Sequence, residues 1–207
     1  MKKLLLITFL SIGAISVSAQ SRFGARAGVN LSKIAFDHTD PNVVIDNKYA
    51  TSFQVGAYAE FKLLPKIFMQ PGLELSGHGS KIVDGQAESK LNLMYLKVPL
   101  HFGTRVGLGL GSISFGAGPY FSYALSGKSS SGGQDADIQF GNEMDDELKR
   151  TDFGLNLFSS YQLPLGLNFT LGYQLGLSNN MPNALSDQLK AKNSSISFSV
   201  GYAIKLP

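Results

Sequence analysis

The groups that could carry chemistry in this 207-residue chain are three histidines, an acid-rich segment and a handful of charged residues set among small polar ones. A serine and a histidine together can hydrolyse or transfer acyl chains, so the histidines come first. His38 falls in a long polar connector, His78 near one end of an apolar-alternating segment, and His101 near the opposite end of the next such segment. Residues placed at opposite ends of neighbouring strands cannot share one site. No Gly-x-Ser-x-Gly elbow accompanies them, so a catalytic role is not expected. The segment from Ser126 to Arg150 holds six acids, Asp135, Asp137, Glu143, Asp145, Asp146 and Glu147. Three of these are adjacent and not at the alternating spacing of a calcium loop, and serine and glycine surround them, so a solvated, mobile loop is expected. Gly107, Gly109 and Gly111 make a Gly-x-Gly-x-Gly turn without the helix and downstream acid of a nucleotide site. Cysteine is absent, which excludes disulfides, thiolate metal sites and a lipoprotein anchor. No cofactor and no metal ligand set follow from these residues, and an enzyme is not expected.

The elements that must position these residues are strands. From Arg22 onward large apolar side chains recur at every second position: Phe23, Ala25, Ala27, Val29 and Leu31 alternate with Arg22, Gly24, Arg26, Gly28 and Asn30. A period of two is the signature of a strand with unlike faces. The same alternation returns at Phe53 to Phe61, Ile67 to Leu75, Leu96 to Phe102, Ile113 to Tyr123, Phe153 to Tyr161, Leu167 to Leu177 and Ser195 to Leu206, making eight strands. Each is near the roughly 9 to 11 residues that a tilted strand needs to cross a bilayer. Segments 32–51, 79–90, 125–151 and 179–194 read as long polar loops, whereas residues 64–66 and 164–166 read as tight turns and 106–112 as a short, glycine-rich connector. The alternation of long and short connectors predicts an all-β, eight-stranded, antiparallel up-and-down transmembrane barrel with both termini periplasmic.

Lys2 and Lys3, the apolar run from Leu4 to Ile15 and the small residues Val17-Ser18-Ala19 predict a cleaved signal peptide over 1–19 and one barrel domain over 20–207. Removing two of the 18 basic residues leaves 16 against 15 acids, and without a basic cluster nucleic acid is not an expected partner. Charged residues form only 16% of the chain, against roughly 25% in a soluble domain, as befits a protein with little wet surface.

Side-chain size decides which face of the sheet looks outward. One face carries Phe, Leu, Tyr, Ile and Met; the other is dominated by Gly, Ser, Asn and Thr. A narrow barrel holds the small set inside and the bulky set against lipid, which argues against an inverted, lipocalin-like barrel. Aromatics gather toward strand ends, as interfacial girdles do. The inward face includes Arg22, Arg26, Glu60, Lys62, Glu74, Lys97, Asp152 and Lys205. Unpaired charges in so narrow a lumen are costly, so Arg26, Glu60, Glu74 and Lys97 are expected to pair across it as a structural plug. Pro71, Pro99 and Pro119 interrupt strands that need their donors, and bulges are expected there; the apolar parity also slips near Met94 and Tyr95.

Several stretches resemble the PorT-like outer-membrane β-barrel family of Gram-negative bacteria: FGARAGVNLS (23–32), MYLKVPLHFG (94–103), FGAGPYFSYALSGK (115–128), TDFGLNLFSSYQL (151–163) and YQLGLSNN (173–180). Their order and spacing cover the mature chain. The resemblance implies an integral protein of the cell outer membrane. The expected role is surface binding or envelope structure through long loops, with an accessory place in a secretion or transport assembly as the alternative and a barrel lipid hydrolase further behind. The expected partners are outer-membrane lipid and lipopolysaccharide, with secretion or envelope proteins as further candidates. Such barrels usually end on an aromatic residue; here the ending is Ile204-Lys205-Leu206-Pro207, and Tyr202 is the nearest aromatic.

Overall fold

The computed structural model describes residues 21–38, 47–84, 87–143, 146–182 and 189–205, so the segment 1–19 read as a signal peptide lies outside it. Nine strands run through the described residues: β1 (Arg22–His38), β2 (Asn47–Lys62), β3 (Ile67–Asp84), β4 (Ala87–Leu108), β5 (Gly111–Ser131), β6 (Gln134–Asp137), β7 (Thr151–Gln162), β8 (Leu167–Gly176) and β9 (Leu189–Lys205). Eight of them pair antiparallel with their sequence neighbours, β5 with β7 included, and β9 returns to β1 to close a ring. The eight expected strands are these. β6 lies outside the ring and pairs only with the end of β5.

Closure has a measurable stagger. Carrying the strand registers once around the ring from Arg22 leads through Glu60, His101, Asn156, Gln174 and Ser195 back to β1 at Ser32, ten positions further on. With eight strands, that stagger corresponds to a tilt of about 40° and a backbone radius of about 8 Å. Such a cylinder is filled by its own side chains and leaves no wide pore.

Both ends of the ring, paired at Arg22 and Lys205, lie on the same rim as the three tight turns. This is called the lower rim below. The β4–β5 turn closes over two residues with Gly109 at φ 59°, and the β7–β8 turn closes on Gly166 at φ 98°, conformations that side chains with a Cβ resist. At the opposite, upper rim the strands outrun the apolar pattern. Residues 79–90, expected as a loop, are a hairpin paired out to Asp84 and Ala87, and β1, β2, β5 and β9 likewise run into segments expected to be loops. Above the lipid belt polar and apolar residues no longer alternate, as in Lys81-Ile82-Val83-Asp84, while the backbone ladder continues.

The expected parity slip is a bulge, with the register shifting between Met94 and Tyr95. A second break lies in β2 between Tyr49 and Gln54. The prolines, by contrast, carry no register shift. Pro71 pairs with Leu100, Pro99 with Tyr120 and Pro119 with Leu155, each held by one neighbouring strand while pairing lapses toward the other. A proline lacks a single donor, which concerns one neighbour only, and the opposite ladder keeps the strand in step.

The outward face carries the bulky set. Phe53, Leu73, Phe121, Phe153, Leu171 and Phe198 each expose half or more of their surface. In water such a continuous apolar band would be untenable for a monomer, whereas in a bilayer it is the required boundary. The inward face has a feature that composition alone does not reveal. Tyr58, Phe68, Phe158 and Tyr120 also point inward, and each sits directly opposite a glycine, in the pairs Gly24 with Tyr58, Phe68 with Gly103, Gly116 with Phe158 and Tyr120 with Gly154. A Cβ at Gly24 would lie 2.4 Å from the Tyr58 ring, and one at Gly116 would lie 2.4 Å from the Phe158 ring. The missing side chains are the space that the rings occupy.

Candidate functional site

The lumen is where the chain gathers its buried polar groups, and they lie in tiers. In the middle tier, Glu74 of β3 is held between two cations. Arg26 of β1 donates from Nε to Glu74 Oε1 at 2.8 Å and from Nη2 to the same oxygen, and Lys97 Nζ lies 2.9 Å from Oε2. Glu74 and Lys97 are directly opposite in register, whereas Arg26 reaches across β2 past Gly56, whose missing side chain leaves room for the Glu74 stem. Lys97 also donates to Gln174 Oε1 at 3.4 Å, and the Arg26 guanidinium lies over the Tyr58 ring at 5.4 Å. All three charged side chains are at least nine-tenths buried, so the pairing is needed to hold them there.

The lower tier separates Glu60 from this group. Glu60 accepts a two-pronged contact from Arg105, at 2.5 Å from Nη1 and 2.7 Å from Nη2, while Arg22 Nη1 stands 3.6 Å away and donates to Gln162 at 3.2 Å. Arg105 stacks over Phe68 at 5.1 Å and donates to Ser114 at 2.9 Å. The four residues Arg26, Glu60, Glu74 and Lys97 therefore form two clusters. Arg105 belongs to the second, although the sequence reading left it between the strand ending at Phe102 and the connector over 106–112. Lys62 and Lys205, assigned to the inward face, are exposed at the lower rim. The tilt of the strands carries their ends out of the lumen.

The upper tier is built on Asp152 of β7, which is 1% exposed. Its partners among the described residues are neutral: Tyr120 OH donates at 3.0 Å, Ser178 Oγ at 2.5 Å and Asn193 Nδ2 at 3.1 Å. Two other strands and one connector thus converge on the single carboxylate of β7. Over it lies a small apolar cap in which Ile34, Leu93, Tyr95, Ala124, Leu148, Met181 and Ala191 pack together, with Ile138 and Phe140 against them. The segment 126–150, expected as a solvated loop, supplies part of this cap. Ile138 N donates to Gly127 O at 2.9 Å, Gly141 N to Leu148 O at 3.0 Å, and Phe140 bridges to Leu148. Three apolar residues among six acids were enough to fold the loop back over the mouth. Its acids are used locally: Asp135 accepts from Ser130, Asp146 from Glu143 N and Glu147 from Gln139 N. Asp145 lies outside the described residues. Among the described residues no three metal-ligating side chains come together.

His78 and His101 are both buried and far apart in role. His78 meets the Tyr95 ring edge-on at 5.5 Å, and His101 lies 5.0 Å from Phe158. None of their ring nitrogens has a hydrogen-bond partner among the described residues. The side chain of His38 lies outside the described residues. Space between the tiers is small. The middle tier encloses a cavity of about 30 Å³ and its lower neighbour one of about 10 Å³. Since a water needs roughly 10 to 15 Å³ on this measure, these cavities suit a few waters bridging Gln70, His101, Asn156 and Gln174.

The model of the outer membrane protein beta-barrel domain matches residues 18–181, most of the chain. The chain belongs to that family. It is an integral outer-membrane barrel, and the bulky outward face is its lipid boundary. Among solved structures it is similar to the outer membrane protein OprG of Pseudomonas aeruginosa, at 12% identity and a TM-score of 0.53 over 91% of this chain and 98% of that one, which shows the shared fold. Ail of Yersinia pestis aligns at 13% identity and a TM-score of 0.46 over 89% and 99% of the two chains. Neisserial surface protein A aligns at 12% and 0.46 over 87% and 96%. No curated protein matches this outer-membrane barrel by sequence.

Proposed function

We propose that this barrel is a sealed outer-membrane anchor, non-enzymatic, that displays its upper-rim hairpins as a binding or envelope-structural surface and passes no solute. The observation that carries this is the stacking of three closures along one narrow lumen: Glu60 with Arg105, Glu74 between Arg26 and Lys97, and the apolar cap above Asp152. A conducting barrel of eight strands would need an axial path, whereas above a space of about 120 Å³ at the lower mouth the cavities between the tiers have room for only a few waters. In this reading the lower rim and both termini face the periplasm, because short turns and chain ends share that rim. The long upper hairpins then face outward, where outer-membrane lipid and lipopolysaccharide are the first partners they meet. The finer kinship with PorT-like barrels rests on the strand motifs quoted above and is part of this proposal.

Planar-bilayer recording tests it directly. The purified protein, shown folded by a boiling-dependent gel shift, should insert without discrete conductance steps. Steady channels in the folded protein would overturn the sealed reading. Co-purification of a stoichiometric secretion complex would replace the display role with an accessory one.

A further inference from the structure

We propose that the lower mouth of the barrel binds a phosphate group, beneath the pair formed by Glu60 and Arg105 and beside the β2–β3 turn. The site itself does not depend on how the barrel is oriented; that it opens to the periplasm rests on the reading proposed above.

Below that pair lies a space of about 120 Å³, larger than either cavity higher in the lumen, lined by Arg22, Glu60, Lys62, Lys66, Phe68 and Arg105 among others. On the measure by which one water needs roughly 10 to 15 Å³, it admits a compact tetrahedral oxyanion with some of its waters. Its ceiling is fixed. Arg105 grips Glu60 with both terminal nitrogens, donates from Nε to Ser114 at 2.9 Å and lies over the Phe68 ring at 5.1 Å. Its side is fixed too, because Leu63 N and Leu64 N donate to Ile67 O at 2.9 and 3.1 Å, and Arg105 N donates to Lys66 O at 2.9 Å, which ties the turn to β4. Lys62 and Lys66 therefore flank the space on a backbone that is held in place. Arg22, Glu60, Phe68 and Arg105 belong to the inward face, so the space opens downward into water and not through the wall into lipid.

Four cations meet a single carboxylate here, which leaves an excess of three positive charges. The next acid up the lumen, Glu74, is committed to Arg26 and Lys97. Glu60 and Ser114 take three of the five N–H groups of Arg105, and Gln162 takes one from Arg22, so both guanidinium groups keep further donors. Lys62 and Lys66 are exposed, and their ammonium groups have no ion-pair or hydrogen-bond partner among the described residues. Lys205, directly opposite Arg22 in register, adds a fifth cation at the same rim. Like charges gathered around one space are relieved by an anion, and more by a doubly charged one than by chloride or a carboxylate. Arginine forks beside lysine point charges suit the oxygens of a phosphate.

The test is a titration of inorganic phosphate, with chloride holding the ionic strength constant, into the isotope-labelled protein in phosphatidylcholine nanodiscs, where both mouths meet water. The amide resonances of Lys66, Ile67 and Arg105 should shift and saturate. Lys62→Gln/Lys66→Gln, shown folded by its boiling-dependent gel shift, should bind about tenfold more weakly, roughly threefold for each exposed ion pair lost. Lys62→Arg/Lys66→Arg should retain binding, and Lys48→Gln/Lys128→Gln, the same charge change on exposed upper-rim residues, should leave it unaltered. With phosphatidylglycerol added to the discs, loss of the inorganic phosphate response would support the site with a lipid headgroup as the source of its phosphate, whereas an unchanged response would support it with a water-borne one. Shifts that never saturate, or that are equal in Lys62→Gln/Lys66→Gln and the parent, would overturn the phosphate site while leaving the sealed barrel standing. Steady channels in bilayer recordings would do the reverse.

Discussion

Glu74 is the residue whose removal should cost this barrel most among its charged groups. Its 2.9 Å contact with Lys97 alone corresponds to about 6 kcal/mol of attraction at an effective dielectric near 20, most of it offset by the cost of taking the charges out of water. Deleting Glu74 removes the attraction and leaves the cost. Arg26 and Lys97, with side chains 10% and 6% exposed, would then face each other as like charges with no anion between them. Breaking a buried pair in this way costs about 3 to 5 kcal/mol, so Glu74→Ala should reduce the folding equilibrium by about a thousandfold. Replacing the whole group, Arg26→Met/Glu74→Leu/Lys97→Met, should stay within about 1 kcal/mol of the parent, because no ion is left stranded. Urea titration of the barrel in lipid vesicles, with the folded fraction read from gel mobility without boiling, measures both. A Glu74→Ala loss under about 1 kcal/mol, or a triple variant as unstable as the single one, would refute the argument.

Four further outcomes follow from the same geometry. Glu60→Gln should cost less, about 1 to 2 kcal/mol by the same titration, since its partners Arg22 and Arg105 keep 18% and 20% of their side chains exposed to solvent. Tyr120→Phe, which removes a donor to a buried carboxylate, should cost about 1.5 to 3 kcal/mol, and a neutral effect would show that Asp152 does not depend on it. Leu171→Lys, on a residue 56% exposed in the middle of the outer belt, should cost about 2 to 4 kcal/mol in a bilayer; a silent substitution would mean that this face meets water. Gly118→Val should yield no heat-modifiable folded band, because a Cβ there would lie 1.9 Å from the Leu100 carbonyl oxygen.

The sequence by itself determined the strand number, the inside-out sense of the faces and the bulge near Met94. All three depend on side chains alternating along one strand, a local property that needs no partner to be read. The same locality explains the limits. Strand ends above the lipid belt were missed because apolar residues there no longer fall at every second position, as with the adjacent Ile82 and Val83 in the hairpin out to Asp84 and Ala87. The prolines suggested bulges because a missing donor looks the same in one dimension whichever neighbour it faces. Only the closed ring shows that the other neighbour still holds the register. The ten-residue stagger decides which side chains share a level. It brings Arg26 and Lys97 to one carboxylate, sends Glu60 down to Arg105, and gathers Tyr120, Ser178 and Asn193 around Asp152. It also sets four inward aromatic rings opposite glycines distant in sequence, as Phe68 is opposite Gly103. Alternation fixes which way a residue points, whereas what it meets there depends on cross-strand register, which exists only once the sheet has closed on itself.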